Sequence, residues 1–298
     1  MIDKFSKIYR ICTKFISNKR IPVNIIISSG GSRGYAAFAI FEKIIEYYGN
    51  EIEIKEMAGS SIGAVLVGIF GKAERRKIES LHEYKKFFSR MTKKQFLKLY
   101  APADPRRGLV SHSRIKKFFY EELGIMENIE DLDVKVTIAA TRIPQMKVEY
   151  LREGPLIDAI MCSISIPGIF PSYIYKGNHY LDGGIRDPIP WRAIRNEKYA
   201  KNIVIDLYGG RTHSYKNNYK ENIYNNLMIS LDALLEEISA LSIREIRGKE
   251  NWFIFSPFAN KEVKVYSTFD FVKFKEIYKI GLEEWEAKQE IFEKWLRA

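Results

Sequence analysis

The sequence predicts an α/β fold: a three-layer α/β/α sandwich with a mainly parallel central sheet and extra helices at both termini. Three observations carry this. Short apolar β-branched runs such as VNIIISS (23–29) and IVIDLY (203–208) have the unbroken hydrophobicity of strands buried on both faces. Stretches with apolar residues at helical spacing alternate with them along the chain. Two strand-to-helix joints are glycine-rich, around Gly30 and around Ser61, as tight turns between a strand and its crossover helix require.

Bulk properties narrow the function classes. In 298 residues, 46% hydrophobic and 29% charged content is ordinary for a globular protein and argues against general disorder. Two cysteines, Cys12 and Cys162, make no disulfide framework, and no Cys/His spacing resembles a metal site, so neither metal nor cofactor is expected. No apolar run reaches the ~18 residues of a membrane span, and no secretory signal is visible. The expected location is cytoplasmic, with the membrane surface as an alternative. Charge is uneven: Lys72 to Phe119 holds fifteen Lys/Arg against four acids (Glu74, Glu79, Glu83, Asp104), a surplus of 11 that equals the net charge of the whole chain. An excess so confined describes a surface rather than a fold.

Taken in order, residues 1–20 place Ile2, Phe5, Ile8, Tyr9, Cys12, Phe15 and Ile16 on one side of a basic amphipathic helix. It would lie on a membrane or, more commonly, pack on the domain. After Pro22 the strand VNIIISS runs into Ser29-Gly30-Gly31-Ser32-Arg33-Gly34 and the amphipathic helix YAAFAIFEKIIEYYG. Strand, glycine loop and helix together present backbone N–H groups to an anion, either a nucleotide pyrophosphate or the oxyanion of an acyl transfer. The nucleotide alternative is weakened because a short-chain dehydrogenase needs Tyr with Lys four residues on, and none of the 18 tyrosines has it.

EIEIKEM (51–57) alternates like a half-buried strand, and AVLVGIF (64–70) reads as a buried helix. Between them Gly59-Ser60-Ser61-Ile62-Gly63 is a G-x-S-x-G pentapeptide. A strand turning abruptly into a helix strains its middle residue, flanking glycines give the chain room, and the Ser61 hydroxyl stands at a helix N-terminus that favours a developing oxyanion. Ser61 is therefore a candidate nucleophile; the bland alternative is a helix-capping turn.

Residues 72–119 read as basic helices broken at Ala101-Pro102-Ala103-Asp104-Pro105, with Ser111 or Ser113 capping SRIKKFFYEELG and Gly124 ending it. Lys85, Lys86, Arg90, Lys93, Lys94 and Lys98 are interleaved with Phe87, Phe88, Phe96, Leu97 and Tyr100. This suits an anionic bilayer if the rings are exposed, and an ordinary solvated helix face if they are core. A nucleic-acid surface is a third, less favoured reading. DVKVTIAATR and KVEYL follow as strands, then a helix from Leu156 to about Ser163. A strand ends at Leu181, before Asp182-Gly183-Gly184. IVIDLY is a strand, RTHSYKNNYKEN a polar loop, 222–247 a long helix, WFIFSP a strand and 269–297 a final helical region.

Glycine loop, G-x-S-x-G elbow and D-G-G, in this order, resemble the patatin-like phospholipase family, whose loop is typically G-G-G-x-R/K-G. Ser163-Ile164-Ser165-Ile166-Pro167-Gly168-Ile169-Phe170-Pro171 is similar to that family's S-x-S-x-P-x-x-F-P segment. The resemblance covers roughly residues 23–190 and departs at Ser29, where the family has its first glycine. It implies a serine lipid-acyl hydrolase acting on phospholipid or lysophospholipid esters. Ser61 would be the nucleophile and Asp182 the base of a Ser–Asp dyad, with Gly30, Gly31, Ser32, Arg33 and Gly34 forming the oxyanion loop and Gly59, Gly63, Gly183 and Gly184 completing the motifs. Residues 1–21 then form an N-terminal helix, 22–195 a catalytic region with a basic insertion at about 72–119, and 196–298 the remainder of the same domain. The alternatives are a Ser-Asp-His triad recruiting His213, and a non-catalytic lipid- or nucleotide-binding module. His82, His112 and His179 are poorly placed along the chain for a triad. Oligomeric state is not legible.

Overall fold

The computed structural model describes residues 20–90, 111–209, 223–259 and 271–298. Its strands are β1 (Ile21–Ile27), β2 (Ile52–Ser60), β3 (Lys135–Ile143), β4 (Lys147–Leu151), β5 (Tyr173–Tyr175), β6 (Asn178–Leu181), β7 (Lys201–Ile205) and β8 (Trp252–Phe255). The helices are α1 (Gly34–Tyr48), α2 (Ile62–Phe70), α3 (Ile78–Arg90), α4 (His112–Leu123), α5 (Leu156–Ser163), α6 (Ile223–Ile246) and α7 (Phe274–Arg297). The expected N-terminal helix, the 101–105 break, Lys93, Lys94, Lys98 and His213 lie outside the described residues.

One eight-stranded sheet holds all of the described strands. Its centre, β3-β2-β1-β7-β8, is parallel throughout. The antiparallel strands β4, β5 and β6 join at the β3 end. Each buried central strand divides its side chains between two cores, as the two-residue repeat demands. Ile25, Ile27, Met57, Ile203 and Ile205 enter a large core beneath α1, α2, α5 and α7, where Phe41 stacks on Phe70 at 3.9 Å between centroids. Ile26, Ala58 and Val204 enter a smaller core on the opposite face, closed by Ile189, Ala193, Ile194 and the end of α6 at Ile243 and Ile246. The sandwich is therefore α/β/α with one thick and one thin helical layer.

Two local details differ from the sequence reading, and a third bears on an alternative it left open. The β7 strand stops at Ile205 because the Asp206 carboxylate accepts the N–H groups of Tyr208 (3.0 Å) and Gly209 (3.1 Å) and folds the chain into a turn. Ser111 stands at the N-cap of α4, but its hydroxyl pairs with Ser113 Oγ at 2.7 Å instead of capping the helix. In the basic stretch, Phe88 and Phe119 are buried and Phe87 and Phe118 pack against the large core. Of these described rings, two are buried and two half-buried against the core, so they form no freely exposed aromatic surface.

Candidate active site

The two halves of the site are brought together by strand register. Ser60, the last residue of β2, sits opposite Ala139, and Leu181, the last of β6, sits opposite Thr141. Both strands lie on the edge of β3 that β4 does not occupy, so they run toward each other and end two residues apart. The next residue of each is Ser61 and Asp182. Ser61 Oγ donates to Asp182 Oδ2 at 2.6 Å, across 121 positions of sequence.

Ser61 adopts φ 54°, ψ −120°, a left-handed conformation that is costly for a residue with a Cβ. The flanking glycines make the elbow possible by close approach. A Cβ on Gly59 would stand 2.3 Å from the Gly63 carbonyl oxygen, and one on Gly63 would stand 2.1 Å from that of Ile27. The Ser61 N–H donates to Ser163 Oγ (2.8 Å), whose own proton goes to the Ala139 carbonyl (2.7 Å). Asp182 is held as firmly: its N–H donates to the Ser165 carbonyl (2.9 Å), Thr141 Oγ1 donates to its carbonyl (2.8 Å), and Gly184 N–H donates to Oδ1 (2.8 Å). Gly183 is pressed against β3, where a Cβ would meet the Ala139 oxygen at 2.1 Å. Burial pushes the Asp182 carboxyl up to about 7, and the bonds from Ser61 and Gly184 partly offset that rise.

The glycine loop forms the adjoining wall. Gly31, at φ 56°, opens a short 3-10 turn over Gly31–Arg33 that leads directly into α1 at Gly34. Among the described residues, no acceptor engages the N–H of Gly30 or Gly31. Ser29, at the departure from the family loop, is buried and its N–H donates to the Pro188 carbonyl at 2.8 Å. Arg33 is buried: its Nη2 donates to Asp232 Oδ2 of α6 at 2.5 Å, and the guanidinium lies 5.0 Å from the centroid of the Tyr208 ring. Ser29, Gly30, Gly31, Ser61 and Asp182 line the polar side of a small cleft. Ile166, Ile185, Met228, Leu231 and Leu235 line its apolar side.

The described histidines stand apart from this pair. His82 faces Glu42 at 3.5 Å, and His179 Nδ1 pairs with Ser172 Oγ at 2.9 Å. His112 Nε2 lies 3.0 Å from Ser165 Oγ, its ring stacked on Phe170, and burial lowers its pKa to about 4. Three positioning groups escape a reading by motif: Asp232, and the separate jobs of Ser163 and Ser165. The segment containing the serines was visible; which bond each makes depends on the register of β3.

A family model for patatin-like phospholipase matches residues 25–194, more than half of the chain. The chain belongs to the patatin-like phospholipase family. An uncharacterized NTE family protein of Mycobacterium tuberculosis is 29% identical over 224 residues, covering 74% of this chain and 59% of the relative. Lysophospholipase NTE1 of Candida albicans is 24% identical over 298 residues, covering 94% of this chain and 20% of that one. The chain thus spans about three-fifths of the mycobacterial relative and a fifth of the fungal one. VipD from Legionella pneumophila superposes with a TM-score of 0.42 at 13% identity, covering 91% of this chain and 67% of that one.

Proposed function

We propose that this patatin-like chain is a serine hydrolase that cleaves acyl esters of lipids through a Ser61–Asp182 dyad. The observation that carries the reading is the direct 2.6 Å bond between Ser61 Oγ and Asp182 Oδ2 at a strained elbow. In a triad an imidazole separates serine from acid. Here the two touch, which supports a dyad over a Ser-Asp-His arrangement using His213.

Ser61 Oγ attacks the ester carbonyl while Asp182 takes its proton. A base whose pKa stands near 7 is ionised in useful amount at neutral pH, yet basic enough to accept that proton. The carbonyl oxygen becomes an oxyanion facing the amides of Gly30, Gly31 and Ser32, and the α2 N-terminus adds a favourable field. Collapse of the tetrahedral intermediate breaks the ester C–O bond, and the proton on Asp182 passes to the departing alkoxide. Water, deprotonated by Asp182, then attacks the acyl-enzyme; the acyl C–Oγ bond breaks, the fatty acid leaves, and Asp182 returns the proton to Ser61 Oγ. The chemistry calls on no metal.

The apolar cleft wall suits an acyl chain. A lysophospholipid is the substrate class suggested by the name of the fungal relative. The basic stretch 72–119 offers electrostatic contact with an anionic lipid surface. A binding module that retained the fold without turnover is the competing reading. It is tested by Ser61→Ala, which is expected to lower hydrolysis of a lysophospholipid and of a soluble short-chain ester by ~10⁴-fold with the fold intact. Near-native turnover by the pure variant would reduce Ser61 to a turn residue.

A further inference from the structure

Helix α6 is built inside out. From Asn226 onward its buried positions run Asp232, Glu236, Ser239 and Ser242 before the apolar Ile243. Its outward side carries Leu227 (51% exposed), Leu234 (63%) and Leu241 (45%). Seven residues apart, these three form one ridge about 21 Å long. On that outward side Asn226, Ser230 and Ala233 are also exposed, and Glu237 is the one charge between Leu227 and Leu241. The other long helix, α7, shows what a solvated face looks like in this molecule. It buries Ile277, Tyr278, Trp285 and Phe292 and turns Lys275, Glu276, Lys279, Glu283 and Glu286 outward. A charge-poor leucine ridge outside, over polar residues inside, is the arrangement of a helix whose outer side meets an apolar medium.

Two occupants fit such a ridge: a second copy of the chain, or a lipid–water interface. Helix pairing needs a double row of knobs, and the second row, Leu231 and Ile238, is half-buried against the domain. The three leucines together expose about one and a half leucine residues, roughly 300 Å² per copy; symmetric pairing on this ridge alone would bury about 600 Å² of apolar surface, and a stable interface of ~1,200 Å² would need as much again from the polar flanks. Leu231 lies between Leu227 and Leu234 on the same helix and lines the cleft. The ridge is therefore continuous with the mouth of the site. A lipid leaving an aggregate along the ridge would keep its chain on apolar surface until it reached Ser61.

We propose that the outer face of α6 docks on the surface of a lipid aggregate, the Leu227–Leu234–Leu241 ridge inserting beside the cleft mouth. The proposal rests on the acyl-ester reading for its purpose, but not for its test. The Ser61→Ala chain, which isolates binding from turnover, is floated with neutral phosphatidylcholine vesicles in 0.5 M salt (roughly a 4 Å screening length), so that the basic stretch contributes little. The chain is expected to float, and the Leu227→Ser/Leu234→Ser/Leu241→Ser variant to lose at least tenfold in partition. Lys279→Ser/Glu283→Ser on α7 serves as the control and is expected to behave as the parent. With Ser61 restored, the ridge variant should hydrolyse a soluble short-chain ester within about twofold of the parent, which also reports that it is folded. Equal flotation of parent and ridge variant, or no flotation of the parent, overturns the proposal. So does a dimer in light scattering that the leucine changes abolish, which would assign the ridge to a second copy. Flotation lost with the ridge, in a chain that never cleaves the ester, would sink the hydrolase reading and leave the docking surface standing.

Discussion

At Asp182, burial and hydrogen bonding pull in opposite directions, and burial wins: the carboxyl stands near 7. Two consequences follow from the sign. As the proposed base it works ionised, so kcat/KM for a soluble ester is expected to climb tenfold per pH unit on the acid side and level off above about pH 7. In stability the same shift acts the other way. A folded-state pKa raised above the ordinary carboxylate value favours the fold while the group is protonated, and that contribution is lost as pH rises from about 4 through 7. Asp182→Asn, which removes the buried charge, is expected to gain on the parent across that window, by on the order of 4 kcal/mol at its upper end. Urea midpoints at pH 4 and pH 8 check this; a gap between the two proteins that stays constant with pH would show that the carboxyl is not desolvated. Ser61 and Asp182 were legible because each sits in a short motif with its own backbone geometry. Asp232 was not, since its partner Arg33 lies 199 positions away and nothing near Asp232 in sequence marks it.

The elements follow the periodicity of the chain where burial is one-sided or complete, as in β1, α1, β3, α5 and α7. What periodicity could not reveal are polar residues inside apolar strands. Asn24 and Asn202 face each other in the β1–β7 register and join side chain to side chain at 2.8 Å. Nor could it reveal that β2 and β6 end against each other, because that follows from sharing one edge of β3. The end of α5 and the loop after it lock this junction, with Ser163 bonded to the Ser61 N–H and Ser165 to the Asp182 N–H. Ser163→Ala would leave the Ser61 N–H and the Ala139 carbonyl buried without their partner, a loss of about 2 kcal/mol or more. It is also expected to lower kcat by about tenfold with little change in KM, because the elbow that aims Ser61 loses its brace. Unfolding curves and steady-state kinetics on a soluble ester check both; native stability would mean that the elbow holds itself.

Across the whole molecule, the thick layer of α1, α2, α5 and α7 supplies the main core, and the site lies at the carboxyl ends of β1 and β2, where the glycine loop and the elbow lead into α1 and α2. The first half of α6 forms one wall of the cleft, tied to the glycine loop by Asp232 and Arg33. The charge surplus of 72–119 was legible as a count, but its geometry was not: Phe88 and Phe119 went to the core, because a basic helix with one apolar stripe packs that stripe whenever a core is within reach. On the proposed reading, this fold presents Ser61 as an activated nucleophile. Incubation of the full chain with a serine-directed fluorophosphonate, followed by intact mass and peptide mapping, tests it before any substrate is known. One adduct per chain is expected, on the peptide that contains Ser61, formed far more slowly after Asp182→Asn and not at all after Ser61→Ala. An adduct on another residue, or a folded chain that Ser61→Ala leaves equally reactive, would contradict it.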